Sequence, residues 1–283
     1  GVTPIADLSP KKPYDSDRLY RNDNGKFVDV SQQSGVWNVG FGLSVSVTDI
    51  NGDGWPDIYV GNDFVQPDNC FINNQKGAFN DKIGSYFRHC PMSTMGSEMT
   101  DFDNDGRVDL MSVDMWPTNN ERQKSLKTSN TLSRYLTMVK YGYFEPVVRN
   151  VLQRNNGNGT FSDIACAAGI YKTDWSWSCL FADFDNDGWK DLHIANGYRR
   201  EVTNKDYQEF VLSEVDKRRA QSKKKDYEDL MGFLDQMPAH KIRNFMYQNN
   251  GDWQFNDKGG DWMTIPASWS CGAAWADFDA DGD

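Results

Sequence analysis

Apolar and small residues alternate along several short stretches of the chain. Phe41, Leu43, Val45 and Val47 form one such set, Trp175, Trp177, Cys179 and Phe181 another, and Trp269, Cys271, Ala273 and Trp275 a third. The positions between them are mostly Gly, Ser, Thr or Ala. A period of two is a strand signal, and a strand apolar on one side and crowded on the other is expected between two packed neighbours. A weaker set, Met95 and Met99 with Ser93 and Ser97, marks one further strand.

Each set runs into an acidic loop of the form D-x-[DN]-x-D-G-x-x-D. The loops are "DINGDGWPD" from Asp49 to Asp57, "DFDNDGRVD" from Asp101 to Asp109 and "DFDNDGWKD" from Asp183 to Asp191. A fourth, "DFDADGD", starts at Asp277 and is cut at Asp283 before its ninth position. Short apolar runs follow the first three, at Ile58–Val60, Leu110–Val113 and Leu192–Ile194. They predict a second strand that ends near Asn62, Asp114 or Asn196, natural turn formers.

A hairpin signature precedes each loop. Phe27, Phe79, Phe161 and Phe255 each open a Phe-x-Asp triplet after an Asn/Gly-rich turn, and each lies 22 positions ahead of Asp49, Asp101, Asp183 or Asp277. The repeating unit is therefore a hairpin, a strand, an acidic loop and a strand. Its shortest period, from Asp49 to Asp101, is 52 residues, the size of a four-stranded propeller blade. The expected units lie near 17–66, 67–117, 147–200 and 243–283. Longer spacings after the second and third loops predict insertions near 118–146 and 200–242. In the first, Leu126, Leu132, Leu136 and Val139 follow helical spacing; in the second, Tyr207, Phe210, Val211 and Val215 do. The basic run Lys217 to Lys225 is expected to be a solvated helix face, with docking of an acidic partner as the alternative.

Oxygen ligands at positions 1, 3, 5 and 9, a Gly at 6 and a main-chain carbonyl at 7 suit Ca²⁺. The loops hold no His or Cys for zinc. An EF-hand would carry a bidentate Glu at position 12 between helices, but that position is Val60, Ser112 or Ile194, within predicted strands.

The blade pattern resembles the FG-GAP or VCBS repeats of integrin α-subunit-type β-propellers. The stretch "RNNGNGTFSDIACAAGIYKTDWSWSCLFADFDNDGWKDLHIANGYRR" is similar to bacterial VCBS-repeat proteins related to cartilage acidic protein. The resemblance implies an all-β propeller of four-stranded blades, and two departures from the family are expected: helical insertions that lengthen blades, and no C-terminal companion domain of the cartilage acidic protein type. It places metal ligands at Asp49, Asn51, Asp53 and Asp57; at Asp101, Asp103, Asp105 and Asp109; at Asp183, Asp185, Asp187 and Asp191; and at Asp277, Asp279 and Asp281. Main-chain carbonyls would come from Trp55, Arg107, Trp189 and Asp283. A propeller closes its ring to hide sheet edges, so a chain that stops inside a loop is expected to be part of a larger ring, or to have its last blade completed by a partner.

The formal charge of −11 argues against nucleic acid and anionic membranes. The four loops hold fifteen carboxylates, and four calcium ions, adding +8, would bring the charge to −3. No apolar run spans a bilayer. Cys70, Cys90, Cys166, Cys179 and Cys271 form no C-x-x-C pair, and most are expected to be small buried residues.

The sequence carries no nucleophile elbow, H-E-x-x-H or phosphate-binding loop. Of its three histidines, His193 is expected to be structural, His89 could line a site, and His240 has no assigned role. Trp37, Trp175, Trp177 and Trp269 are core residues or sugar-stacking platforms. The expected function is a secreted or cell-surface binding, adhesion or complex-assembly module for a glycan or protein ligand, bacterial by resemblance. The alternative is an enzyme or enzyme-associated propeller such as a polysaccharide lyase or hydrolase.

Overall fold

The two strands that flank an acidic loop join the hairpin that follows it, and the four strands make one antiparallel sheet. The computed structural model describes residues 16–64, 66–126, 132–140, 144–221 and 235–279. The first sheet orders β3 (Gly42–Thr48), β4 (Asp57–Asn62), β5 (Asn69–Asn73) and β6 (Phe79–Asp81) side by side. The second does the same with β8 (Gly96–Thr100), β9 (Asp109–Val113), β12 (Val151–Asn155) and β13 (Phe161–Asp163). In the third, β14 (Asp174–Ala182), β15 (Asp191–Asn196), β16 (Phe245–Asn249) and β17 (Phe255–Asp257) follow in order, with β10 (Met115–Trp116) on the free edge of β14. The first hairpin, β1 (Tyr20–Asp23) with β2 (Lys26–Asp29), stands as a separate pair, and β7 (His89–Pro91) pairs in parallel with β11 (Glu145–Val147). The sheets are thus half a unit out of phase with the sequence repeat, because each post-loop strand pairs with the next hairpin. The chain has a propeller-like all-β fold.

Adjacent sheets meet through their first strands. Ser44 Oγ lies 2.8 Å from Ser97 Oγ, and a Cβ on Gly96 would come within 2.4 Å of the Trp177 carbonyl, so small residues on one strand admit the backbone or bulky side chains of the next. One apolar cluster, including Tyr59, Cys70, Phe87, Leu110 and Phe161, fills the space between the first two sheets. A larger one, including Phe102, Met111, Cys179, Phe181, Ile194 and Phe255, fills that between the second and third.

The alternating pattern therefore buries residues only where a neighbour exists. Phe181 and Cys179 are buried, but Phe41, Leu43, Val45 and Val47 are 48–65% exposed, contrary to the expectation of a strand packed on both sides. The apolar side of each first strand is covered by the preceding sheet, and among the described residues no sheet lies against that side of β3. Residues 269–276 form no described strand, with Trp269 and Trp275 exposed; Ser270 N donates to the Asn196 carbonyl at 2.9 Å.

Beyond the single turn α1 (Ile83–Tyr86) after the second hairpin, both insertions contain helices: α2 (Asn120–Ser125) and α3 (Leu132–Lys140) in the first, α4 (Lys205–Gln221) in the second. Asn119 caps α2 by accepting from Arg122 N at 2.8 Å. The buried side of α3 is not the expected one. Met138 is buried while Leu132, Leu136 and Val139 are exposed, because α3 meets the body of the protein along β11 rather than over a broad core. On α4, Tyr207 and Val211 are half-buried and Phe210 is exposed. The basic run begins at the end of α4, and its residues 222–225 lie outside the described residues. No described helix is long and apolar enough to cross a membrane.

Candidate metal centre

The acidic loops owe their shape to carboxylates that accept from their own backbone. In the third loop Asp183 accepts from Asp187 N at 3.1 Å and Gly188 N at 2.9 Å, and Asp187 accepts from Trp189 N at 2.8 Å. Asp101 and Asp105 repeat these bonds in the second loop, and Asp49 and Asp53 in the first. The sixth-position glycines Gly54, Gly106 and Gly188 have φ of +84°, +83° and +92°, a region in which a side chain is strained. The fourth position is also left-handed, and it holds Gly52, Asn104 and Asn186, the residue types that tolerate it.

The ninth-position carboxylates, Asp57, Asp109 and Asp191, are buried and weld each loop to the strand beyond it. One oxygen accepts from Ile50, Phe102 or Phe184 N, and the other from Asn73, Asn155 or Asn249 N at 2.7–2.9 Å. Burial raises all three acids above the usual carboxylate range, Asp109 to about 7 and Asp191 to about 6. The Asn side chains were not singled out from the sequence, although each lies six positions ahead of its Phe-x-Asp. Asn155 Nδ2 reaches the carbonyls of Val108 in its own sheet and Ile50 in the preceding loop, and Asn249 Nδ2 those of Lys190 and Phe102.

Two groups of carboxylates converge. Ligand oxygens of Asp101, Asp103 and Asp109 lie within 4.8 Å of one another, as do those of Asp183, Asp185 and Asp191. The Asp103 side chain is 4% exposed, its Oδ2 is bonded to Arg154, and its Oδ1 is buried with no partner. An orphaned buried carboxylate oxygen is costly unless a cation meets it, so the residues present fit a hard divalent ion. In the first loop Asn51 takes the third position, and its amide bonds Asp53. Fifth-position Asp105 and Asp187 stand outside the two trios. In the fourth loop Asp277 and Asp279 are exposed, and Asp281 and Asp283 lie outside the described residues. Side chains that bond the loops from outside, Arg154, Gln248 on Asp185 Oδ2 at 2.5 Å and Gln75 on Asp53 Oδ2 at 3.2 Å, escaped sequence reasoning because they come from the hairpin that follows each loop.

The opposite ends of the sheets carry the insertions. Arg122 holds Asp174 with two bonds of 2.8 and 2.9 Å and also bonds Glu201, which ties both insertions to the start of β14. Asp174 has a left-handed φ of +78°, a strained backbone for a non-glycine residue. Beside it Trp175 stacks on Tyr198 with ring centres 4.6 Å apart, and Trp177 Nε1 donates to the Gly197 carbonyl. These rings are half-buried or at the edge of exposure. Trp37 carries the Arg18 guanidinium 4.9 Å over its ring and borders an open cleft of about 540 Å³ with Asp29, Gln32 and Gln33.

The three histidines occupy separate places. His89 bonds Asp163, which Arg149 also engages; His193 is half-buried in β15, with burial lowering its basicity; His240 is exposed, 3.6 Å from Glu201. All five cysteines are free, with Cys70, Cys90 and Cys179 buried.

The family described as FG-GAP-like repeat matches residues 9–60, 49–112 and 145–194, more than half of the chain and all three complete acidic loops. No significant match was found among curated proteins. Among solved structures, that of an Agrocybe aegerita lectin, described by its specific recognition of non-reducing terminal N-acetylglucosamine, is 15% identical. The match covers 86% of this chain and 45% of the lectin, with a TM-score of 0.37. At that score the likeness carries no argument, and this chain spans less than half of the lectin's length.

Proposed function

The chain belongs to the FG-GAP-like repeat family, and on that premise we propose that it is a calcium-stabilised β-propeller module, secreted or at the cell surface, that presents a binding face to a glycan or protein. The observation that carries the metal is the buried, unpartnered Asp103 Oδ1 beside Asp101 and Asp109. In the second loop Asp101, Asp103, Asp105 and Asp109 would hold the ion with the Arg107 carbonyl. Asp183, Asp185, Asp187, Asp191 and the Trp189 carbonyl would do so in the third, and Asp49, Asn51, Asp53, Asp57 and the Trp55 carbonyl in the first. A bound calcium ion takes six to eight oxygens and neutralises carboxylates that otherwise repel. The chain itself supplies preformed loops, fixed by their own backbone hydrogen bonds.

Extracellular calcium is millimolar, the range that suits exposed loops of this kind. The ligand-binding face is the end of the sheets away from the loops, where both insertions leave the propeller and the Trp175–Tyr198 stack lies. The integrin-like organisation of the blades belongs to the same proposal, with sequence repeats near 17–66, 67–117, 147–200 and 243–283 that each supply a hairpin and then strands of the following sheet.

Equilibrium dialysis against calcium counts the ions. Three per chain is the expected result, with one lost in Asp103→Asn; a chain that binds none contradicts the proposal. Glycan-array binding with and without calcium then examines the ligand face.

A further inference from the structure

The second loop has a resident cation. Arg154, the residue before Asn155 in β12, donates from Nε to Asp103 Oδ2 at 2.6 Å and from Nη2 to Asp105 Oδ2 at 2.8 Å, and Arg107 bonds Asp105 as well. The corresponding residue is Gln248 in the third sheet and Ile72 in the first. Arg154 is also engaged from the other side. Its guanidinium lies 4.7 Å from the ring centre of Trp253, which stands in the turn between β16 and β17 of the third sheet with a left-handed φ of +64°. One side chain therefore spans from the second loop to the neighbouring sheet.

Two effects of that guanidinium oppose each other. Its charge repels a dication, which alone would weaken binding. Its hydrogen bonds fix the ligands, which strengthens it, because partners outside the coordination shell orient the groups inside it. Geometry favours the second effect. Arg154 occupies Oδ2 of Asp103 and leaves Oδ1 buried and unbonded, so the oxygen available to an ion is held rather than consumed. The four loop carboxylates carry −4, and Arg154 with Arg107 leaves −2, the charge that a dication cancels. The net charge of the empty loop is halved, so its ligands are less prone to splay apart before the ion arrives.

On the calcium reading of the loops given above, we propose that Arg154 is a positioning residue for the second loop. It holds Asp103 and Asp105 by one oxygen each, so that Asp103 Oδ1 stays turned to a divalent cation. Through Trp253 it couples cation binding there to the packing of the third sheet on the second. Other contacts run along the same seam: Lys190 Nζ donates to the Asp101 carbonyl at 2.8 Å, and Asn104 Nδ2 to the Gly188 carbonyl at 2.9 Å.

The test is calorimetric titration of the whole chain with calcium, comparing wild type, Arg154→Gln, Arg154→Lys and Trp253→Ala, with Asp103→Asn marking which binding step belongs to the second loop. Arg154→Gln is expected to weaken that step by roughly 10- to 100-fold and leave the others in place. Arg154→Lys keeps the charge but lacks the planar fork, and is expected to weaken it similarly. Trp253→Ala, at a half-exposed side chain that leaves the strands intact, is expected to weaken the same step by a smaller factor. A second-loop step as tight as wild type, or tighter, in Arg154→Gln overturns the proposal, since the guanidinium would then only compete with the ion. Wild-type behaviour in Arg154→Lys overturns it too, because charge rather than geometry would carry the effect. A wild type that binds no calcium would instead remove the functional reading on which the proposal rests.

Discussion

Replacing Asn249 by Ala should cost far more than its size suggests. The side chain is 1% exposed and makes three hydrogen bonds: Nδ2 donates to the Phe102 carbonyl at 2.9 Å and the Lys190 carbonyl at 3.1 Å, and Oδ1 accepts from Gly251 N at 3.0 Å. Its backbone bond to Asp191 survives the substitution. At about 1 kcal/mol for each lost bond, and with buried carbonyls left unpaired, Asn249→Ala should lose roughly 3 kcal/mol of unfolding free energy. The same change at Asn73 removes bonds only to the Pro56 carbonyl and from Gln75 N, both near solvent and within one sheet, and should lose about 1 kcal/mol. Urea unfolding of both variants in excess EDTA isolates the hydrogen bonds from any metal contribution. Equal losses at the two sites, or a loss below about 1 kcal/mol at Asn249, would refute the idea that these amides staple neighbouring sheets together.

Two further outcomes are expected. Burial raises Asp68 and Asp114 to about 7, so the folded protein holds protons that the unfolded chain releases near the ordinary carboxylate value. Stability in EDTA should therefore fall as pH climbs from about 4 through about 7, and Asp68→Asn, which installs the residue found at the matching Asn150 and Asn244, should flatten part of that slope in denaturation midpoints measured at pH 6 and 8.5. Arg122→Ala leaves Asp174 and Glu201 buried without their cation. A loss of about 3 kcal/mol is expected, together with faster limited proteolysis in both insertions; intact insertions with unchanged stability would contradict the role of Arg122 as their common anchor.

The register of the repeat was legible because it encodes local backbone chemistry. The Asp of each Phe-x-Asp accepts from the amide two residues on, Ser31, Ile83, Ala165 or Gly259, which turns the chain at the same point in every unit. The first- and fifth-position loop carboxylates accept from amides within five residues of themselves, so they too leave a fixed pattern. What stayed hidden depends on partners distant in sequence. Arg154 meets Trp253, Arg122 meets Glu201, and Asn249 meets Phe102, none of which has a periodicity to read. The alternation along β3 identified a strand, but only the arrangement of the sheets decides that its apolar side is exposed. Helical spacing likewise located α3 without identifying Met138 as its buried residue.

Thermal unfolding of the whole chain with and without chelator reaches the central claim most directly. Occupied at a hundred times its dissociation constant, each calcium site adds about 2.7 kcal/mol. Two or three sites should then lift the melting temperature by roughly 10 to 20 °C. EDTA should remove that gain, and calcium should restore it where magnesium does not. A melting temperature unmoved by chelator and by added calcium would contradict the claim that metal ions hold these loops and stabilise the propeller.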